Sequence, residues 1–139
     1  MATHQINAKH HESFAFQASI DEYTFHMDTT DAETIHAGPS PKKLMLASLA
    51  GCTGIDVVSI LQKMQVPFQD FNINIEADLT DEHPKIYREV RIQYTISVDP
   101  ANQPKVERAV QLSKEKYCGV SAMFEQFATI NWSIHFNPL

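Results

Sequence analysis

The chain has 139 residues, with 11 basic and 17 acidic side chains and a formal net charge of −6. That length fits one domain, 1–139, large enough to bury a core without a disulfide or metal staple. The acidic balance argues against a nucleic-acid partner, which needs a positive field to neutralise phosphates. Four glycines are too few for a glycine-rich phosphate loop, and two cysteines cannot build a CxxC…CxxC zinc site. Neither a metal nor a cofactor is expected.

Met1 to Glu12 contains no apolar run, so no secretory leader and a cytoplasmic address are expected. His10-His11 reads as part of a solvated terminus. Phe14, Phe16 and Ala18, then Tyr23, Phe25 and Met27, alternate with polar residues about Asp21-Glu22, which predicts a hairpin. Asp28 to Ser40 reads as a loop. Ser40-Pro41 is a helix-start signal, with Ser as N-cap and Pro at the first helical position. The helix should run to about Gln65 and be stopped by Pro67.

Within that helix, Leu44 to Leu61 approaches the length of a membrane span. Asp56 would cost about 2.5–3.5 kcal/mol at the centre of a bilayer. The expectation is therefore a core helix buried on most sides, with no membrane partner. Because it is apolar nearly all round, one layer of strands cannot cover it; two sheets or a second subunit must wrap it.

Phe71, Ile73, Ile75, Ala77 and Leu79 alternate over one strand, and Ile86, Val90, Ile92, Tyr94, Ile96 and Val98 over a longer one. Arg88 falls in the apolar register of the latter. Gln103-Pro104 opens a second helix that Gly119 should break directly after Cys118. Ser121 to Ala128 forms one more short helix, and Ile130, Trp132, Ile134 and Phe136 a final strand. The order ββ-α-ββ-αα-β is an α+β pattern with antiparallel sheet.

On the first helix, steps of three and four from Cys52 reach Met45, Ser48, Asp56, Ser59 and Lys63. Cys52 thus lines a polar seam on an otherwise apolar helix, and a buried seam must be hydrogen-bonded or open onto a cavity. Gly51 and Gly54 flank it, and Gly119 flanks Cys118. Each helical glycine costs about 1 kcal/mol relative to Ala, which points to a close approach of something to the backbone. Ala47, Gly51 and Gly54 also offer a small-residue face for a second helix.

Buried free cysteine is ordinarily inert. The seam and the clustered glycines strengthen a chemical role beside that inert reading without displacing it, and in a reducing compartment a two-thiol pair would be transient and chemical, not a staple. Read locally, Cys118 is the easier thiol to ionise, having Lys114 and Lys116 beside it, whereas Asp56 opposes a thiolate at Cys52. Asp56 itself needs a partner cation, for which Arg88 or Lys116 is expected. The seven histidines show no i, i+4 metal-ligand spacing.

The run from Gly38-Pro-Ser-Pro to Leu-Ala-Gly-Cys52, continued by Thr-Gly-Ile-Asp-Val-Val-Ser-Ile-Leu61, resembles the central helix of the osmotically inducible protein C / organic hydroperoxide resistance (OsmC/Ohr) superfamily. Ala109 to Cys118 is similar to its second cysteine motif. The GIDVVSIL stretch resembles that of the YhfA-like subgroup. The resemblance implies an intertwined homodimer with central helices wrapped by antiparallel sheets and a site at the subunit interface. It implies a thiol-dependent peroxidase in which Cys52 is oxidised by a hydroperoxide and Cys118 resolves the sulfenic acid to a disulfide. A thiol reductant, such as a dihydrolipoyl protein, would restore the pair. Ser48, Asp56 and Arg88 are the candidate supporting residues.

The chain departs from the family pattern at two places. Lys42 and Lys43 stand where the helix start carries a glutamate, and no arginine precedes Arg88. The alternatives to peroxide turnover are a non-catalytic dimer that binds a small apolar ligand, and a redox sensor or disulfide exchanger.

Overall fold

The computed structural model describes residues 1–29 and 36–139. The loop expected over Asp28 to Ser40 therefore falls partly outside the described residues. The chain divides into two compact units, Met1–Ala47 and Ser48–Leu139.

The first unit is an antiparallel sheet in the order β1 (Asn7–Glu12), β2 (Ala15–Ile20), β3 (Tyr23–Met27). The expected hairpin is β2–β3, with Ile20 opposite Tyr23 across the Asp21-Glu22 turn. Asp21 takes φ 54° there, in the left-handed region that short polar residues tolerate. The N-terminal segment, read as a solvated terminus, adds β1. Its residues are all exposed, so it has no apolar alternation to announce it, and backbone pairing to β2 holds it.

The helix α1 (Pro41–Lys63) begins in the first unit and continues into the second. Its start is as expected: the Ser40 carbonyl accepts from the Leu44 amide at 3.2 Å. Its end is a paired-bond cap. Val66 N–H reaches the Leu61 carbonyl at 2.9 Å and Gln65 N–H the Gln62 carbonyl at 3.1 Å, with Gln65 at φ 57°. Pro67 follows immediately and prevents resumption.

The second unit carries a sheet in the order β4 (Gln69–Leu79), β5 (Tyr87–Ser97), β6 (Thr129–Asn137). β4 and β5 are antiparallel, with alternation as expected: Val90, Ile92, Tyr94 and Ile96 are buried. β6 departs from the antiparallel expectation, pairing parallel to β5. The intervening helices α2 (Gln103–Leu112) and α3 (Gly119–Phe124) supply the long crossover that a parallel return requires.

The core of this unit lies between β5, the α2 residues Val106, Ala109 and Val110, and one stripe of α1. That stripe is Leu49, Thr53, Val57 and Leu61, spaced four apart. The remainder of α1 is more open than expected: 22% of its most apolar window is buried, and Ile55 is 72% exposed. By length and composition α1 could cross a membrane, yet Asp56 sits in its middle, where a bilayer would penalise it.

Candidate active site

Cys52 and Asp56 stand one turn apart on α1, so their side chains project along the same stripe. Cys118 arrives from the junction of α2 and α3. There the helix widens into a π-type turn over Ser113–Tyr117, closed by a bond from Cys118 N–H to the Ser113 carbonyl at 2.8 Å. Cys118 then leaves the helix in an extended conformation, φ −78° and ψ 101°, and its sulfur accepts from the Ser121 amide at 3.3 Å. Thus Cys118 itself makes the break, and Gly119 opens α3. The two sulfurs and a carboxylate oxygen of Asp56 all lie within 4.8 Å of one another. Both thiols are free; Cys118 is buried and Cys52 half-buried.

A line of hydroxyls backs this cluster. Ser113 Oγ donates to Asp56 Oδ2 at 3.0 Å, which commits its single proton. Thr53 Oγ1, 2.9 Å away, must then donate to Ser113 and accept from the Tyr94 hydroxyl at 2.7 Å. The protons of Tyr94, Thr53 and Ser113 therefore all point toward the Asp56 carboxylate. Tyr94, Thr53 and Ser113 are fully or almost fully buried, so each hydroxyl left without a partner would cost about 1–3 kcal/mol.

The expected cation is absent from this arrangement. Asp56 is met by a hydroxyl, and the ion pairs among the described residues are those of Arg91 with Glu76 and Asp78. Arg88 is exposed, for a reason local to its strand. Asp78 pairs with Glu89 and Leu79 with Tyr87, so Arg88 is the unpaired residue of a bulge. The bulge reverses parity, turning Tyr87 into the core and Arg88 outward. Lys116 lies over the Tyr117 ring, 5.2 Å from its centre, and Lys114 donates to the Ile130 carbonyl at 3.2 Å.

The lysines beside Cys118 in sequence therefore do not make it the easier thiol. Burial pushes Cys118 above the ordinary thiol range; Ser121 partly offsets this, and Cys52 pushes it up further. Burial likewise raises the Tyr94 phenol, with Thr53 opposing and the nearby Cys118 and Asp56 adding to the rise. Ser48 lies exposed one turn before Cys52.

One opening adjoins the cluster and a second runs along another face of α1. A cavity of about 320 Å³ begins at Asp56 and is lined by Ile60, Lys63, Met64, Leu112 and Tyr117. On the other side of α1, a shallow groove of about 630 Å³ runs along Gly51, Gly54, Ile55, Val58, Phe71 and Ile73. The expected close approach occurs at Gly54, where an added Cβ would stand 3.0 Å from Ile73 Cδ1. Gly51 and Gly119 face open space.

Of the sequence candidates, the fold brings together Cys52, Cys118 and Asp56, and leaves Ser48 and Arg88 on the surface. Sequence reasoning missed Thr53, Tyr94 and Ser113. A signal existed: Thr53 interrupts the stripe of Leu49, Val57 and Leu61, and Tyr94 sits in the apolar alternation of β5. A polar tip at a core position requires a partner.

Comparison with known proteins agrees with this architecture. Protein YhfA of Escherichia coli is 32% identical over 108 residues, 78% of this chain and 81% of its own. A hypothetical protein from Aquifex aeolicus superposes with a TM-score of 0.82 at 27% identity, over 99% of both chains. The organic hydroperoxide resistance protein OsmC of Legionella pneumophila has a TM-score of 0.67 at 15% identity, covering 97% of this chain and 98% of its own. The family model described as OsmC-like protein matches residues 20–133, which include both cysteines and parts of both compact units. This chain is a member of the OsmC family.

Proposed function

We propose that the protein is a thiol-dependent peroxidase working as a homodimer of one OsmC-like domain, 1–139. The observation that carries this reading is the meeting of Cys52, Cys118 and Asp56 within 4.8 Å, from elements far apart in sequence. The half-buried Cys52 is the sulfur a hydroperoxide reaches first, and the cavity at Asp56, one turn along α1, offers Ile60, Met64 and Leu112 to an organic tail. Cys52 loses its proton to Asp56 as its sulfur attacks the terminal peroxide oxygen, the O–O bond breaks, and Asp56 passes that same proton to the departing alkoxide, which leaves as the alcohol. Cys118 then attacks the sulfenic sulfur, a disulfide forms and water departs. An external dithiol of the dihydrolipoyl class returns both sulfurs to thiols. The name of the Legionella neighbour agrees with this class of chemistry.

The dimer reading rests on α1. Its face bearing Gly51 and Ile55 is apolar and exposed, and the same face of a second copy would cover it. That burial also removes the reason to place α1 in a bilayer, and a cytoplasmic, reducing compartment suits thiols that cycle.

A stoichiometric redox switch on the same pair is the second reading. It is favoured by the lack, among the described residues, of a cation ion-paired to the cluster, which a fast peroxidatic thiolate would use. Stoichiometric cumene hydroperoxide should consume both thiols per chain and leave an intrachain disulfide. Repeated consumption with dihydrolipoamide separates turnover from switching. Unchanged thiols would overturn both readings and leave the ligand-binding one.

A further inference from the structure

We infer that the reduced cluster of Cys52, Asp56 and Cys118 is a binding site for one divalent d10 cation of the Zn²⁺ class. The inference goes beyond the peroxidase reading: it concerns the resting dithiol and holds whether or not peroxide is turned over. Three groups whose ionised forms are all negative lie within 4.8 Å of one another. Among the described residues none of them is ion-paired to a cationic side chain. Such a cluster must be neutralised by protons or by a cation.

The donor set selects which cation. Two sulfurs with one carboxylate favour a soft to borderline ion over Mg²⁺ or Ca²⁺, which prefer an all-oxygen shell. A tetrahedral Zn²⁺ with Zn–S bonds of ~2.3 Å needs its ligand atoms ~3.3–3.8 Å apart. The observed ligand atoms lie within 4.8 Å of one another, so a closure of at most about 1–1.5 Å brings them to that spacing. Cys52 and Asp56 are one helical turn apart, the spacing by which a single helix offers two ligands to one ion. Cys118 closes the third side.

The outer partners are also in place. Ser113 donates to Asp56 Oδ2 at 3.0 Å, holding the carboxylate while Oδ1 has no protein donor among the described residues. The Ser121 amide donates to Cys118 Sγ at 3.3 Å, as amides do toward metal-bound thiolates. Outer hydrogen bonds of this kind orient ligands and contribute to affinity. The cavity that begins at Asp56 leaves that ligand open to water, which would supply the fourth ligand of an open site.

Binding forms two metal–sulfur bonds and one metal–oxygen bond, and releases both thiol protons to solvent. No oxidation state changes. While the ion is bound, neither sulfur is free to attack peroxide or to form the disulfide.

The test uses the fully reduced protein, freed of metal, with Co²⁺ as the spectroscopic probe and Zn²⁺ as competitor. The expected result is one Co²⁺ per chain, with a thiolate-to-cobalt charge-transfer band and the visible bands of a tetrahedral ion, both abolished by Zn²⁺. Zn²⁺ added in weak buffer should release two protons per ion. Cys52→Ser and Cys118→Ser should each lose most of the charge-transfer band. Asp56→Asn, nearly isosteric, should bind at least ~10-fold more weakly. The wild-type disulfide form, a control that needs no substitution, should bind none. Absence of the band in the reduced wild type would overturn the inference, as would an undiminished band in Cys118→Ser or in the disulfide form. If the band is missing while peroxide still oxidises both thiols, the metal site fails and the redox reading stands. If the band forms while peroxide leaves the metal-free thiols intact, the reverse holds.

Discussion

On one face of α1, Leu49, Val57 and Leu61 are fully buried by the second unit of the chain. On the opposite face Ile55 is 72% exposed and Gly51 meets nothing within 4 Å. Both faces are apolar, so hydropathy alone cannot tell them apart; what differs is who covers them. The first is satisfied within the chain, and in the proposed dimer the second is satisfied by another copy. Cys52 and Asp56 lie on the border between the two, rotated about a quarter turn from each. A thiol there can be held rigidly from one side and approached from the other. The hydroxyl line through Thr53 and Ser113 holds Asp56, one turn from that thiol, and the cavity beginning at Asp56 leaves this side of α1 open.

The sharpest way to break this contrast is to charge the open face. Ile55→Asp should weaken self-association at least ~100-fold, about 3 kcal/mol, as measured by sedimentation equilibrium. The monomers that result should keep their far-ultraviolet circular dichroism. If the wild type is already a stable monomer at micromolar concentration, the second face has no partner and the comparison collapses. On the covered face, Leu61→Ala should cost about 2–5 kcal/mol in urea unfolding while leaving association of the folded fraction intact.

A smaller effect is expected inside the hydroxyl line. Thr53→Val leaves the buried Tyr94 hydroxyl without its partner and removes the donor to Ser113. The cost should be about 1–3 kcal/mol. Tyr94→Phe removes only the terminal donor and should cost less, so a larger loss for Tyr94→Phe than for Thr53→Val would contradict the proton direction assigned above.

The thiols should also separate by pH. Because burial raises the Cys118 thiol, the folded state holds its proton where the unfolded chain has lost it. Its contribution to stability is present below the ordinary thiol range and declines as pH rises through the raised value. Iodoacetamide should therefore modify Cys52 before Cys118 in the reduced protein, and the Cys118 rate should climb only above the ordinary thiol range. Equal rates at every pH would refute the asymmetry. The least effect is expected on the solvent face of the second sheet. There Arg91 holds the Asp78 carboxyl below its ordinary range, but both side chains are exposed. Asp78→Asn should leave the urea unfolding midpoint almost unchanged, because solvent screens the pair.

These contrasts also mark where the sequence was legible. Caps and alternation are local, so Ser40-Pro41 and Pro67 bracketed α1, and β4 and β5 could be read from period two. The polar seam of α1 likewise placed Cys52 with Asp56. What escaped depends on distant partners. β1 carries no apolar face and is held by backbone pairing to β2 together with ring contacts of His10 on Phe16 and His11 on His26. Arg88 looked inward because the bulge that turns it outward requires knowing the β4 register. The parallel pairing of β6 is set by the crossover, and the reactivity of Cys118 by burial that overrides its charged sequence neighbours. The hydroxyl line joins three elements, and no window of sequence contains it.

The central claim is that Cys52 and Cys118 form one redox unit with unequal members. The most direct measurement is mass spectrometry of the wild type, Cys52→Ser and Cys118→Ser after one equivalent of cumene hydroperoxide, with a dimedone-type trap present. The account predicts a Cys52–Cys118 disulfide in the wild type, a trapped sulfenate on Cys52 in Cys118→Ser, and no oxidation of Cys52→Ser. A trapped sulfenate on Cys118 in Cys52→Ser, with none on Cys52 in Cys118→Ser, would contradict it.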